Sequence, residues 1–593
     1  MMVICNRSLV FFAFVACLPA IAVADDERWW PVQALPRAVV RTSERHMSLG
    51  HQMLVQSVAG LAAKAVNQGQ GDEMVWVSSD NVDLETWYSA LLKRNPSLEA
   101  RGEFGPWELV DRYFQRKVIK GYILYSPDKS KGLINDHRSG MDLSVNVATS
   151  LAGLLDGVLV ADDLEEEARA HGLSKLLDAR GKTQAWCFET YKDRFNRRLL
   201  CTQDPRKSNL RDLAVAQHVL VLYGADEPTE AALKWLDPLS PIAGWNGGDE
   251  FETTRLSSIY GHIQTATDWC LNIPVLMAGS ERVTFSPLKG FNPRSIDWSD
   301  RRSCVSFVLS DGDNVQWLQT SFFHGNTSYW HNPDRGKIPF GWSCCFAQLS
   351  QLCPFAIDYA LATRSDNDRF IEWGGGYYYP DLFGSARPNG SELLARHARR
   401  TWQFMQKTGT RILAFNVAKS ESPDALKAYA TIAGETDDLS AMLVFQYSPY
   451  EGGAGRTFWV KDRRGVEVPV ITARYSIWEH TNGRARSGTP AKVAREIHES
   501  ASGKVPRHDW VIVHAWSYFR HAPGGNEDAE NMPQDEAPAR SSVRGYSPAR
   551  WCSERLPADV RVVTPEELTW RIRMEHDAVT TQKLVDGFRS RCN

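Results

Sequence analysis

Two carboxylates one residue apart follow an apolar segment in the middle of the chain. The nearly continuous apolar run Cys304 to Asp311 continues into Gly312, Asp313 and Asn314. Carboxylates at the tip of a strand can act as general acid, general base or nucleophile, or can bind a metal through oxygen. The same residue types also form turns and cap helices. We expect at least one of the two aspartates to do chemistry, and Asp313 or Asn314 to be the candidate cap.

Further carboxylates follow or interrupt later apolar segments, at Glu372, Glu451 and Glu479. Glycoside hydrolysis uses two carboxyl groups, which stand about 5–5.5 Å apart for retention or about 6.5–9.5 Å apart for inversion. The predicted catalytic set is therefore Asp311, Asp313, Glu372, Glu451 and Glu479. Glu372 lies within an apolar strand, where a carboxylate is costly unless it is paired. It is either a general acid whose pKa is raised by burial, or it faces a helix and is bound there.

Rings and hydrogen-bonding groups accompany these acids. The stretch WGGGYYYPDLFG, Trp373 to Gly384, sets glycines against tyrosines and predicts either exposed rings for a sugar or a strand end that packs on its own domain. The predicted substrate-binding residues are Asn314, Tyr377, Tyr379, Asp381, Asn416, Tyr447, Arg474, Trp478, His514 and Trp516. We predict no cofactor and no metal, because no strand leads into G-x-G-x-x-G and no Cys/His spacing is typical of zinc.

The second half of the chain must position these residues. Its candidate strands are Cys304–Asp311, Lys337–Ser343, Arg369–Gly375, Arg411–Val417, Met442–Ser448, Val468–Ser476, Asp509–Trp516 and Val560–Pro565. Helical patterns separate most of them, which predicts a C-terminal (β/α)8 TIM-like barrel; a doubly wound open sheet is the alternative. In a parallel barrel the working residues lie at the carboxyl ends of the strands, where the candidates fall.

The first half also alternates between strand and helix patterns, which predicts an α/β domain with a largely parallel sheet. Its helical patterns are Leu84–Arg94, Val145–Leu155, Leu164–Ala179 and Arg211–Gln217. The segment GWNGGDE, Gly244 to Glu250, either reaches into a cleft between the halves or forms a turn in which Asp249 caps a helix. The predicted division is a signal peptide over 1–24, an N-terminal α/β domain over 25–300 and a C-terminal domain over 301–593.

Composition narrows the function classes. A net charge of −3 over 593 residues gives no basic field for nucleic acid. The 21 tryptophans fit aromatic platforms for a carbohydrate. The apolar run from Leu9 to Leu18 and the Ala22–Ala24 cleavage pattern predict export to the periplasm or the exterior, with lipid attachment at Cys17 as the alternative. No later apolar run is long enough to span a membrane.

A named pattern lies inside the glycine-tyrosine stretch. Gly374 to Pro380 reads G-x-G-Y-x-Y-P and resembles the GxGYxYP family of bacterial exported proteins, which is labelled as putative glycoside hydrolases. The segments SDGDN, GWNGGDE and HAW (His514–Trp516) also resemble sequences of this family. The resemblance covers about residues 60 to 580. It implies an N-terminal α/β domain joined to a C-terminal domain that bears the motif, and it assigns no catalytic residues.

These observations predict an exported glycoside hydrolase that cleaves a poly- or oligosaccharide with paired carboxylates at the barrel mouth. A non-catalytic glycan-binding protein would need the rings but not the acids. A polysaccharide lyase would give unsaturated products, and a deacetylase would release acetate. The expected partner is a carbohydrate, and the sequence leaves the oligomeric state open.

Overall fold

The computed structural model describes residues 28–446, 452–481, 483–503, 505–520, 530–531 and 542–588. The predicted signal peptide, Cys17, Tyr447 and Glu451 lie outside these residues. Within the described ranges, no helix has the length and apolar character needed to cross a membrane.

The first half of the chain contains short strands, most of which are buried, with β3 and β6 as the exposed exceptions. They are β1 (Ala38–Ser43), β2 (Glu73–Ser78), β3 (Glu99–Glu103), β4 (Gly121–Tyr125), β5 (Gly157–Ala161), β6 (Lys175–Asp178), β7 (Leu200–Thr202), β8 (Val221–Leu222), β9 (Pro241–Gly244) and β10 (Ile263–Thr265). All pairings are parallel, in the orders β2-β1-β3, β5-β4-β6 and β10-β9-β7-β8. The predicted largely parallel sheet is therefore three small parallel sheets.

Helices cover these sheets. The α-helices of the first half are Leu49–Asn67, Val82–Arg94, Pro106–Gln115, Ser144–Leu155, Glu165–Ala170, Gln184–Tyr191, Arg211–Ala216, Glu227–Trp235, Glu250–Ile259 and Ile273–Met277. Short 3₁₀ turns occupy Asp162–Leu164, Lys192–Arg194, Ser280–Arg282 and Pro293–Ser295. Asp249 caps the helix that begins at Glu250, because its carboxylate accepts the Glu252 N–H at 2.7 Å.

The second half is built on longer strands. They are β11 (Ser303–Leu309), β12 (Phe340–Cys344), β13 (Asp368–Glu372), β14 (Ile412–Val417), β15 (Ala441–Gln446), β16 (Thr457–Lys461), β17 (Glu467–Thr472), β18 (Tyr475–Ile477), β19 (Ser487–Gly488), β20 (His508–Val513), β21 (Phe519–Arg520), β22 (Ser542–Val543) and β23 (Val560–Val562). The helices are Val315–Thr320, Phe346–Leu352, Pro354–Thr363, Gly390–Thr408, Pro423–Gly434, Pro490–Ala501, Tyr546–Glu554, Pro565–His576 and Ala578–Gly587, with 3₁₀ turns at Gly452–Gly455 and Glu479–Thr481.

The large sheet of this half is a curled half-barrel. Its order is β16-β17-β15-β14-β13-β12-β11-β20-β18-β19, and only the β16–β17 pair is antiparallel. The predicted sixth strand is split: β17 pairs with β15, whereas β18, two residues on, pairs with β20. β20 pairs directly with β11, and β23 joins only the first residues of β11. A (β/α)8 barrel with the eighth strand between the seventh and the first is therefore not confirmed; the fold is mixed α/β with largely parallel sheets.

Strand alternation sorts side chains between the inside of the curl and the surrounding helices. Trp373, Phe445 and Trp510 fill the inside. A larger apolar cluster runs without a break from the first half into the second, for example from Trp87 to Phe323, whose ring centroids are 5.5 Å apart. The two halves therefore share one core at their junction.

Candidate functional site

The carboxyl end of β11 carries the first part of the site. Asp311 has a φ of 64°, a left-handed conformation that is uncommon for a residue with a side chain. Such strain clusters at functional positions. One oxygen of its carboxylate accepts a hydrogen bond from the Trp516 indole at 2.8 Å, and the other accepts one from the Ser310 hydroxyl. The side chain is therefore held on the rim with both oxygens occupied by donors.

Gly312 sets the path of the chain after Asp311. A Cβ at this position would lie 2.4 Å from the Ser343 carbonyl carbon and 2.5 Å from the Cys344 nitrogen. Only glycine permits this close approach to the end of β12. The turn directs Asp313 inward, and only 2% of its surface is exposed.

A third carboxylate reaches the site from the other half of the chain. Glu250, the first residue after the Asp249 cap, is partly buried, and burial followed by the charges of Asp311 and Asp249 raises its pKa to about 8. Burial, then the charges of Glu250 and Asp311, raises the pKa of Asp313 well above its ordinary range, against a hydrogen bond from Tyr377 that lowers it. Like charges held near one another favour shared protons. The site therefore holds three interacting carboxyl groups from both halves.

The glycine-tyrosine motif joins the two halves beside these acids. Gly374, Gly375 and Gly376 have φ values of 58°, 87° and 131°, all in the region that favours glycine. A Cβ on Gly376 would lie 2.9 Å from the Gln264 carbonyl oxygen. The Gln264 and Tyr377 backbones exchange hydrogen bonds of 2.9 and 3.1 Å. The motif is thus a seam through which β10 docks on the second half.

The tyrosine rings of the motif are not exposed, which corrects the prediction of open sugar-binding rings. Tyr377 is 5% exposed, and its ring centroid lies 4.9 Å from that of Trp245. Tyr379 is fully buried, and its ring centroid lies 5.4 Å from that of Phe251. Tyr377 still serves the site, because its hydroxyl bonds to Asp313. Tyr379 holds the seam.

Glu372 faces a helix rather than the inside of the curl. Its two neighbours along β13, Ile371 and Trp373, lie inside. Its carboxyl group accepts the Ala347 N–H at 3.1 Å and the Gly375 N–H at 3.2 Å. Burial raises its pKa to about 8, and these bonds oppose the shift. Of the two alternatives for Glu372, the geometry supports the structural one.

Several predicted residues do line the rim of the curl. The His514 and Trp478 rings are stacked with centroids 4.8 Å apart. Glu479 follows Trp478 and begins a 3₁₀ turn. Asn416 lies in β14 on the inner side with Ala414, and its Oδ1 has no hydrogen-bond partner among the described residues.

Other predicted residues are occupied elsewhere. Asn314 caps the helix that follows it, with its Oδ1 accepting the Trp317 N–H at 3.1 Å. Asp381 accepts two backbone N–H groups just after β14, which ties the motif's turn to that strand. Arg474 lies beside Asp509, 3.6 Å from its carboxylate and near the beginning of β20, at the opposite end from the rim. Asp381 and Arg474 are therefore engaged away from the carboxylates, and Asn314, although next to Asp313, uses its side chain as a cap.

The sheet and the site together define a class of protein. Acids at the carboxyl edge of a curled, largely parallel sheet are typical of α/β enzymes whose sites lie at strand ends. Here the Gln316 N–H, in the helix that follows β11, donates to the Ala266 carbonyl just after β10 at 2.9 Å, so residues of both halves meet at this edge.

Comparison with known proteins identifies the family. Residues 302–521 match the model described as "GxGYxYP putative glycoside hydrolase C-terminal domain", and residues 119–195 match the GxGYxYP_N second domain. The chain belongs to the GxGYxYP family. No curated protein matches it.

Comparison with solved structures supports the assignment of the fold. A crystal structure titled as a putative hydrolase from Bacteroides thetaiotaomicron VPI-5482 is 22% identical, covers 91% of this chain and 95% of its own, and gives a TM-score of 0.73. That likeness shows a shared mixed α/β fold. A domain of unknown function from Bordetella bronchiseptica with bound citrate is 11% identical and covers 74% of this chain and 94% of its own, but its TM-score of 0.13 carries no argument.

Glu250 is the functional candidate that the predicted set lacks. The sequence did signal it, because GWNGGDE indicated a segment that either reaches the cleft or caps a helix. The structure assigns both roles, the cap to Asp249 and the reach to Glu250. The electrostatic interaction between Glu250 and Asp311 depends on the docking of two halves, which no local pattern encodes.

Proposed function

We propose that the protein is a glycoside hydrolase whose acid and base come from different halves of the chain. Glu250 is the general acid and Asp311 is the base or nucleophile. The observation that carries this assignment is the convergence of Glu250, Asp311 and Asp313 beside the Trp245 and Trp516 rings. Family membership supports hydrolysis of a glycosidic bond.

Electrostatics favours Glu250 as the acid. A pKa of about 8 keeps its proton at neutral pH and still allows that proton to leave, which is what a general acid requires. Glu250 is also more accessible than Asp313. Burial raises the pKa of Asp313 well above its ordinary range, and Asp313 bonds to Tyr377 and acts as a positioning residue.

Asp311 is suited to attack or to activate water. It stands on the rim, 8% exposed, and its oxygens accept bonds from Trp516 and Ser310. Substrate sugar would stack against the neighbouring indole ring, because sugar faces pack on aromatic faces. The glycosidic oxygen would then lie toward Glu250, opposite Asp311.

The test uses the full chain and a panel of glycans, scored for new reducing ends. On the glycan that is cleaved, Glu250→Gln and Asp311→Asn should each reduce kcat by at least about 100-fold. A dinitrophenyl glycoside of the same sugar separates the roles, since its leaving group needs no proton. Glu250→Gln should recover on it, whereas Asp311→Asn should not.

Glu252→Gln is the matched control, because Glu252 lies on the same helix and pairs with Arg255 at the surface. It should leave kcat unchanged. Ultraviolet-absorbing products would identify a lyase, and acetate release would identify a deacetylase. Glycan binding without turnover would identify a non-catalytic protein. Each of these results would contradict the hydrolase proposal.

A further inference from the structure

Arg544 lies next to the site with its guanidinium group packed on three aromatic rings. Its Cζ is 4.8 Å from the ring centroid of Tyr518, 5.5 Å from that of Trp516 and 5.6 Å from that of Tyr329. Over the ranges that the structure describes, Arg544 has no carboxylate partner, and its buried Nε has no hydrogen-bond acceptor. A partly buried charge is rarely left without a counter-charge. The guanidinium is therefore a candidate group for binding an anion.

Trp516 connects this arginine to the proposed chemistry. One face of its indole contacts Arg544, and its Nε1–H donates to Asp311 at 2.8 Å. A sugar unit that contacts this indole would have Asp311 on one side and Arg544 on the other. Arg544 therefore lies one residue away from the carboxylate that would react.

The backbone beside Arg544 is fixed. Gly545 has a φ of 73°, and a Cβ there would lie 2.3 Å from the Ser328 carbonyl oxygen. The same oxygen accepts the Tyr546 N–H at 2.9 Å. Because only glycine fits this contact, the chain presents Arg544 from a constrained position. A pre-positioned guanidinium loses less entropy on binding a ligand.

The charge of the site indicates which ligand would complete it. Asp311, which would act as the base or nucleophile, would repel an anionic sugar, and Arg544 on the other side of Trp516 supplies a compensating positive charge. A guanidinium beside aromatic rings can still present two N–H groups, which match a carboxylate in two parallel hydrogen bonds. We propose that Arg544 is a specificity residue that binds the carboxylate of a hexuronic acid unit. This inference rests on the proposed function for the placement of the sugar.

Binding is measured in the Glu250→Gln background of the full chain, so that no turnover is needed. The probes are hexuronic acid oligosaccharides, their carboxyl-reduced counterparts and sulfated neutral oligosaccharides, followed by calorimetry. We expect the uronates to bind, and Arg544→Gln to weaken them about 10- to 100-fold without changing the binding of reduced sugars. Arg544→Lys keeps the charge but loses the fork, so its loss should be intermediate.

Arg197→Gln is the control, because Arg197 also stacks on an indole, 5.5 Å from the Trp235 centroid, but lies in the first half of the chain. Melting midpoints of all variants confirm folding. Equal binding of uronates and reduced sugars would overturn the proposal, as would binding of sulfated sugars alone. So would unchanged uronate binding in a folded Arg544→Gln or Arg544→Lys variant. If uronates bind in an Arg544-dependent manner but the wild type does not cleave them, only the hydrolase assignment would be contradicted.

Discussion

Glu372 gives a prediction that separates a structural acid from a catalytic one. Its carboxyl group is buried against the helix Phe346–Leu352, with a pKa of about 8. In the unfolded chain the pKa returns to about 4.5. Between these values the folded protein holds a proton that the unfolded chain releases, so the contribution of Glu372 to stability is lost as the pH rises from about 4.5 to 8.

The magnitude follows from that gap. One pH unit corresponds to about 1.4 kcal/mol, so the full window is worth about 5 kcal/mol as an upper figure. Glu372→Gln has no such titration. Its amide places an NH₂ against one of the two N–H donors, of Ala347 or Gly375, which costs about 1–3 kcal/mol at every pH. The variant should therefore be less stable than the wild type at pH 5, and this difference in free energy of unfolding should shrink as the pH rises.

The assay is denaturant unfolding of both proteins at several pH values between 5 and 8.5, read as the difference in free energy of unfolding. Groups that titrate alike in both proteins cancel in that difference. Glu372→Ala should show the same slope with a larger constant offset, because it leaves both donors unbonded. A difference in free energy of unfolding that does not change with pH would refute the placement of Glu372. A variant that becomes less stable relative to the wild type as the pH rises would refute it as well. Loss of turnover in a stable Glu372→Gln would restore it to the catalytic set.

Three further predictions concern the site itself. Activity should fall as the pH rises above about 8, because Glu250 then loses the proton that it must donate, and a pH profile of kcat checks this. Tyr377→Phe removes the bond that lowers the pKa of Asp313, so Asp313 should titrate at still higher pH, as followed by carboxyl infrared bands of the labelled protein. Gly312→Ala should lose activity and unfold at lower temperature, since its Cβ would lie 2.4 Å from the Ser343 carbonyl carbon; an alanine tolerated without loss would contradict this contact.

The sequence predicts the long strands of the second half well, because their apolar runs are uninterrupted and end in turn-forming residues. The sequence does not predict strands that are defined only by their pairing with a neighbouring strand. β3 reads EARGE and is mostly exposed, so its residues carry no strand pattern, and only pairing with β1 defines it. The helix predicted over Leu164–Ala179 ends early, and β6 follows it. Gly172 adopts a φ of 77°, and a left-handed glycine ends a helix.

The site shows the same division between local and long-range information. The sequence predicts the location of Asp311 and Asp313, because an apolar run that ends in carboxylates indicates the end of a strand. Exposure of the Tyr377 and Tyr379 rings is not readable, since it depends on β10 docking against the motif. The proximity of Glu250 to Asp311 is equally hidden, because 60 intervening residues separate them and the core that joins the halves sets their distance.

The family motif therefore acts through its glycines as much as through its tyrosines. Three successive left-handed glycines let β10 approach the end of β13, and this approach carries the helix that begins at Glu250 toward Asp311. If the acid and the base do come from different halves, the second half alone cannot catalyse, however well it folds. The apolar cluster that crosses the junction then has a functional reason to be continuous, because movement between the halves would separate Glu250 from Asp311.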